Sequence, residues 1–286
     1  MAIVTIKGSE LEVSIKTMGA QLDSVKDNSG REYMWCGDPN VWEDKSPNLF
    51  PIVSFLEDDK YTFNGKEYSM KMHGFAQNME FEVENKGEDT VTFLLKSNEE
   101  SRAQYPFEFE FRITYKISGR KLIVDFKTDN KTDGNMYYSA GAHEGFAISG
   151  AVENYSIVLD ESENLMRYEV LEGVGISEIP LPCFEGSREL KLRDELFAVD
   201  ALIFFDMKSR GLALRDDRDG SSIHIAFPGF DTLLIWKERG AGFVCIEPWA
   251  GAPDLSWKRV DDFSKKYRIR TLKKGESEIL THTVTF

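Results

Sequence analysis

The 286-residue chain is short of the residues that carry covalent and metal chemistry. It holds three cysteines, Cys36, Cys183 and Cys245, and four histidines. An odd, widely spaced cysteine set makes neither a disulfide framework nor a CxxC metal site. Positive charge is also scarce: 35 Lys and Arg face 49 Asp and Glu, a net charge of −14 with histidine neutral. Such a surface repels phosphate backbones and anionic lipid, which argues against nucleic-acid and membrane partners. A neutral or cationic ligand, or another protein, is favoured instead. No stretch approaches the roughly 18 apolar residues of a membrane span. The opening MAIVTIKGSELEV lacks the basic-then-apolar order of a signal peptide. A reducing cytoplasm is the expected location. Linkers, low-complexity tracts and fixed-period repeats are missing too, so residues 1–286 are read as a single domain.

Aromatic residues are plentiful, with 20 Phe, 10 Tyr and 5 Trp, enough for a large core. The dominant period is two. FEFEFRITYKIS (Phe107 to Ser118) alternates ring or aliphatic with polar, then Gly119-Arg120 lead into KLIVDFKTDN, the pattern of a hairpin with one buried face. Asn64-Gly65 between two alternating runs suits a type I′ turn. Further strands are expected at Leu11–Lys16, Glu80–Glu84, Thr90–Lys96, Ser156–Leu159, Ala201–Asp206, Ser222–Phe227, Thr232–Trp236, Phe243–Glu247 and Ile279–Phe286. Helical period is confined to Asn40–Lys45, Glu99–Gln104 and Asp261–Lys265. The stretch Glu161 to Arg188 reads as an irregular excursion over a sheet face, and RDDRDG (Arg215 to Gly220) as a turn. Many short strands with few helices argue for an all-β sandwich rather than βαβ units.

Phosphate-cradling glycine loops, Walker motifs and nucleophile elbows are all missing. His73, in KMHGFAQNMEF beside Gly74, either lines a pocket or caps a turn. His143, in the small-residue segment YYSAGAHEGFAISG, lies where backbone comes close to a ligand or to another strand. His224 and His282 read as surface strand residues. Glu247 follows the apolar run Phe243–Ile246 and precedes Pro248-Trp249; burial there would raise its pKa and make it a usable base near neutrality. The alternative is a turn-holding acceptor. Trp249 either stacks on a sugar face or fills core, and Asp200, interrupting LFAVDALIFF, is a turn residue or a polyol acceptor. No metal-ligand spacing is present. Histidines, a carboxylate and a Trp on a β-sandwich suit acid–base chemistry on a neutral polyhydroxylated ligand.

Taken in order, GAQLDSVKDNSGREYMWCGDPNVW, NLFPIVSFLEDDKYTFNGKEY, MHGFAQNMEF, SAGAHEGFA, VDALIFF and CIEPWAGAPD resemble the aldose 1-epimerase (galactose mutarotase) family, in its shorter LacX-like branch. HGFA and IEPWxG are the more specific pieces. The resemblance implies a large galactose-mutarotase-like β-sandwich, or supersandwich, with a shallow sugar cleft and interconversion of α and β anomers of a neutral aldose. By resemblance Glu247 is the base and His143 the acid, His73 bonds near the ring oxygen, and Asp200 holds a sugar hydroxyl; Trp249 is taken as substrate-binding on its stacking capacity. It implies no cofactor, no metal, a small-molecule sugar as partner, and a monomer or homodimer. Three positions depart from the pattern: Ser54-Phe55 where an Arg is usual, Gln77 in place of Arg, and Glu144 in place of Pro. The alternatives are a non-catalytic carbohydrate-binding protein on the same fold and, less favoured for want of cations, a hexose-6-phosphate 1-epimerase.

Overall fold

Period-two alternation sends successive side chains to opposite faces of a strand, and the hairpin Phe109–Ser118/Lys121–Asn130 shows the result. Phe109, Phe111, Ile113, Tyr115 and Ile117 are buried, as are Leu122, Val124 and Phe126, with Ile113 opposite Phe126. Gly119 supplies the left-handed turn, at φ 61°. In the computed structural model, which describes residues 1–171 and 174–286, this hairpin lies within a nine-stranded antiparallel sheet. Its order is Leu181–Lys191, Tyr155–Arg167, Gly211–Asp216, Ser222–Ala226, Ser277–Thr285, the hairpin, Thr90–Lys96 and Glu82–Lys86.

A five-stranded antiparallel sheet covers the apolar face. Phe243–Ala250 is its spine: it pairs with Thr232–Trp236 on one side and with both Ala140–Gly141 and Glu144–Ala147 on the other. Leu202–Phe205 completes it against Thr232–Trp236. All eight residues of Phe243–Ala250 are buried. Val244, Ile246 and Ala250 enter the core shared with the nine-stranded sheet; Phe243, Cys245 and Trp249 enter smaller clusters on the other side. A strand covered on both faces reads as an unbroken apolar run, which explains FVCIEPWA. The all-β sandwich expected from the alternation is the observed architecture.

The expected helix Glu99–Gln104 is present, capped by Asn98, whose side chain accepts from the Ser101 N–H at 2.8 Å. Within Asp261–Lys265 only Phe263–Lys265 forms a 3-10 turn, and Asn40–Lys45 makes no helix, only a turn closed by the Trp42 N–H on the Asp38 carbonyl. Asn64 and Gly65 take φ 50° and 75°, as a type I′ turn requires. Arg215 to Gly220 runs from the end of Gly211–Asp216 into the turn before Ser222–Ala226.

Two further expectations are corrected. Glu161 to Arg188 is not an irregular excursion: most of it lies in Tyr155–Arg167 and Leu181–Lys191, paired at the sheet edge, with the small hairpin Val170–Leu171/Gly175–Ile176 between them. Register shifts after Val158, Glu163 and Leu165 break the alternation by which a strand is recognised. Residues 172 and 173 of that stretch lie outside the described residues. The second correction is His282, which is fully buried rather than superficial. It shares its face of Ser277–Thr285 with Leu280 and Val284 and accepts or donates a bond at 2.5 Å to Glu144. His224, by contrast, is half-exposed and paired with Asp160 at 2.9 Å.

Candidate active site

The register of the five-stranded sheet determines where its functional side chains point. Gly141 lies opposite Trp249 and Glu144 opposite Ile246, which sets His143 opposite Glu247 in the gap between Ala140–Gly141 and Glu144–Ala147. Directly opposed residues of an antiparallel pair share a face. His143 Nε2 and Glu247 Oε2 accordingly meet at 3.4 Å, on the side away from the main core. Pro248 lacks an N–H, so it cannot donate to the partner strand, but its carbonyl still accepts from the Ala142 N–H at 3.1 Å. Glu144, the next residue along, points to the opposite face, where His282 reaches it from the other sheet.

Trp249 is buried and props this arrangement. Its Nε1–H donates to the Ala142 carbonyl at 3.2 Å, and a Cβ on Gly141 would lie 2.4 Å from its ring. The small residues of SAGAH therefore serve ring-to-backbone packing. His73 sits in a left-handed turn, φ 65°, followed by Gly74 at φ 74°. The Ser54 N–H donates to His73 Nδ1 at 3.1 Å, which leaves the ring proton on Nε2. The ring stands edge-to-face with His143 at 5.4 Å and with Trp249 at 5.8 Å. Asp200 occupies another left-handed position, φ 88°, after the turn Asp194–Phe197.

These five residues line one cleft of about 560 Å³, a size suited to a small ligand. Residues that sequence reasoning did not single out complete it, notably Trp42, Trp236, Met72, Asp44 and Glu238. Trp42 lies 5.2 Å and Trp236 5.8 Å from the His143 ring. Trp236 had one signal in the sequence, as the last residue of an apolar strand run; Trp42 had only its place at the end of the family-resembling segment GAQLDSVKDNSGREYMWCGDPNVW. Phe55, Gln77 and Ser54 are also in the wall. Lys60 and Lys71 do not replace the missing arginine, since they pair with Glu67 and Asp59 outside the cleft.

Burial dominates the electrostatics. It pushes the Glu247 carboxyl well above its ordinary range, assisted by the negative charges of Asp200 and Glu144. It pushes His143 well below the usual imidazole value, assisted by His73, and His73 itself down to about 4. Burial thus favours the neutral carboxyl on Glu247 and the neutral imidazole on His143, so a single proton held by the pair sits on Glu247. His143, Cys245 and Glu247 each bring a ligand-type atom within 4.8 Å of the others, a grouping the sequence spacing does not suggest. Burial and the nearby Glu247 and Glu144 hold the Cys245 thiol well above its ordinary pKa, so without a cation beside it the thiol keeps its proton.

Gly74 is the most constrained backbone position near the site. A Cβ there would stand 2.3 Å from the Phe50 carbonyl oxygen, at a φ that L-residues avoid. Gly74→Ala is expected to destabilise the protein by more than about 1–2 kcal/mol in denaturant unfolding and to displace His73. Unchanged stability would show that the turn relaxes without cost.

Comparison with known proteins adds the following. The family model described as Aldose 1-epimerase matches residues 1–277. The LacX proteins of Lactococcus lactis subsp. lactis, plasmid and chromosomal, are each 32% identical over 261 residues, covering 87% of this chain and 87% of theirs. A galactose mutarotase related enzyme from Lactobacillus acidophilus superposes with TM-score 0.93 at 32% identity, covering 99% of this chain and 97% of that one. A galactose mutarotase-like protein from Lactobacillus casei ATCC 334 gives 0.90 at 25%, with 99% of each chain covered. Galactose 1-epimerase from Lactobacillus acidophilus NCFM shares the fold, with TM-score 0.72 at 11% identity over 99% of this chain and 93% of that one.

Proposed function

The chain belongs to the aldose 1-epimerase family, and from that premise we propose that it interconverts the α and β anomers of a neutral aldose. The observation that carries the reading is the His143–Glu247 pair, 3.4 Å apart in the wall of a cleft large enough for a sugar. Ring opening needs a proton removed from the anomeric hydroxyl and a proton delivered to the ring oxygen. As the C1–O5 bond breaks, the O1 electron pair closes the aldehyde; rotation about C1–C2 and readdition of O5 give the other anomer.

A one-proton pair supplies both roles at once. Entering sugar hydroxyls donate to Glu247 and replace the water it lost on burial, which draws the carboxylate back to its charged form and moves the proton to His143. Glu247 then takes the O1 proton while His143 protonates O5, and the roles exchange on reclosure. His73, with its proton on Nε2, donates near the ring oxygen; Asp200 accepts from a sugar hydroxyl, and Trp249 holds the His143 segment at the sugar. We place the reaction in the cytoplasm, in keeping with three free cysteines.

Polarimetry over a panel of hexoses and pentoses tests this. Acceleration of at least one is expected, with a bell-shaped pH profile of kcat/KM. The acid limb belongs to the pair taking up a second proton, on His143, whose pKa is lowered. The alkaline limb belongs to loss of the single shared proton, from Glu247, whose pKa is raised. Without His143 the residual rate needs Glu247 ionised, so His143→Asn should keep an acid limb and lose the alkaline one. Without Glu247 it needs His143 protonated, so Glu247→Gln should keep an alkaline limb and lose the acid one. Phe55, which stands in the cleft where the family pattern has a sugar-gripping Arg, favours one rival: a binding protein without turnover. Sugar binding with no acceleration on any member of the panel would decide for that rival.

A further inference from the structure

Four carboxylates line the cleft, those of Asp44, Asp200, Glu238 and Glu247, and among the described residues its wall contains neither Lys nor Arg. The cations next to two of them in sequence are drawn elsewhere. Lys45 turns from Asp44 to Asp23, with Nζ 2.9 Å from the carboxylate. Lys237 turns from Glu238 to Asp194, at 2.7 Å, and is almost wholly buried there. Asp44 accepts a neutral amide hydrogen bond from Gln21 Nε2 at 3.0 Å, and Glu238 accepts from the Arg239 N–H at 3.2 Å. Neither is in an ion pair among the described residues. The acids stand in a site defined on other grounds: a cavity with a paired acid and base, and a nine-tenths buried His143 whose Nδ1 has no partner among the described residues.

We propose that this cleft takes an aldose carrying a protonated amine in preference to its uncharged parent; the proposal rests on the epimerase reading and specifies its substrate class. An ammonium group supplies the counter-charge that Asp44 and Glu238 lack among the described residues, and it has three N–H donors to offer them. Trp42, Trp236 and Met72 cover the carbon face of the ring, and the indoles attract a nearby cation. A phosphorylated aldose meets like charge with no Lys or Arg among the described wall residues to neutralise it, so the cleft rejects it.

The experiment compares glucosamine and galactosamine with glucose, galactose, their N-acetyl derivatives and glucose 6-phosphate. Each catalysed rate is read above that sugar's own spontaneous mutarotation, below the pKa of the amine. The amino sugar is expected to exceed its parent in kcat/KM by about 10- to 100-fold at low salt, the worth of charge-assisted hydrogen bonds. That ratio should shrink at 0.5 M salt, about the range where exposed charge pairs are screened. In the double variant Asp44→Asn/Glu238→Gln the ratio of amino sugar to parent should fall toward one, whatever happens to the absolute rates. If the parents are accelerated and the amino sugars are not favoured, the proposal fails while the epimerase reading stands. If nothing is accelerated, the epimerase reading fails, and calorimetric titration decides the charge preference by itself: tighter binding of the amino sugars upholds it, equal or weaker binding overturns it.

Discussion

Glu247→Gln is expected to lower kcat for anomer interconversion by about 10²–10⁴-fold, the usual contribution of a positioned base, with little change in KM. Gln nearly matches Glu in shape and is neutral, which is the state that burial favours for Glu247. The fold should therefore survive, and an unfolding transition no lower than that of the parent is the control. His143→Asn should cost a similar factor. Because both groups serve the same proton movement, the double variant should fall little below the worse single one. A residual rate above about a tenth of the parent in either single variant would remove that residue from the chemistry, since acid–base partners contribute more than this.

The second large effect is on stability. His282→Leu is expected to destabilise the protein by about 3–5 kcal/mol, because it strands the Glu144 carboxyl between the two sheets without its partner. In a chain of this length that corresponds to a fall of roughly 6–20 °C in Tm. Replacing both residues, Glu144→Leu with His282→Leu, should recover much of the loss, since an apolar pair of similar volume needs no compensation. If the single variant stays within about 1 kcal/mol of the parent, the bond contributes little and Glu144 is satisfied some other way. The same pair touches the chemistry at a distance. Burial is the main reason Glu247 is raised, but the charge of Glu144 adds to it. Removing that charge should therefore move the alkaline limb of the rate profile to lower pH.

Much of the sheet was legible because a half-buried strand writes its own period. Phe109–Ser118 and Lys121–Asn130 alternate without interruption, and their boundaries can be read to within a residue or two. The phase of Ser277–Thr285 was legible as well: His282 has the same parity as Val284, while the threonines occupy the other. That parity places His282 with Leu280 and Val284 on the buried face, against its reading as a surface strand residue. Bulges hid the edge hairpin Tyr155–Arg167/Leu181–Lys191, since each extra residue reverses the faces of everything after it.

The cleft divides the same way. His73, His143, Asp200, Glu247 and Trp249 stood out by composition and by motif, each with a functional and a structural reading, and the family resemblance rather than any local pattern gave them roles in one cleft. Their convergence depends on cross-strand register, a long-range property that no local pattern encodes: only the pairing of Gly141 with Trp249 and Glu144 with Ile246 brings His143 to Glu247. Trp42 and Asp44 lie in a turn where a short helix was expected and Glu238 just beyond a strand end, so only the folded chain brings them to the wall. The acidic balance of 49 against 35 was plain from the sequence and disfavoured anionic partners. Where that charge acts was decided by tertiary structure, because side-chain reach and ion pairing draw Lys45 and Lys237 away and leave the cleft lined with acids.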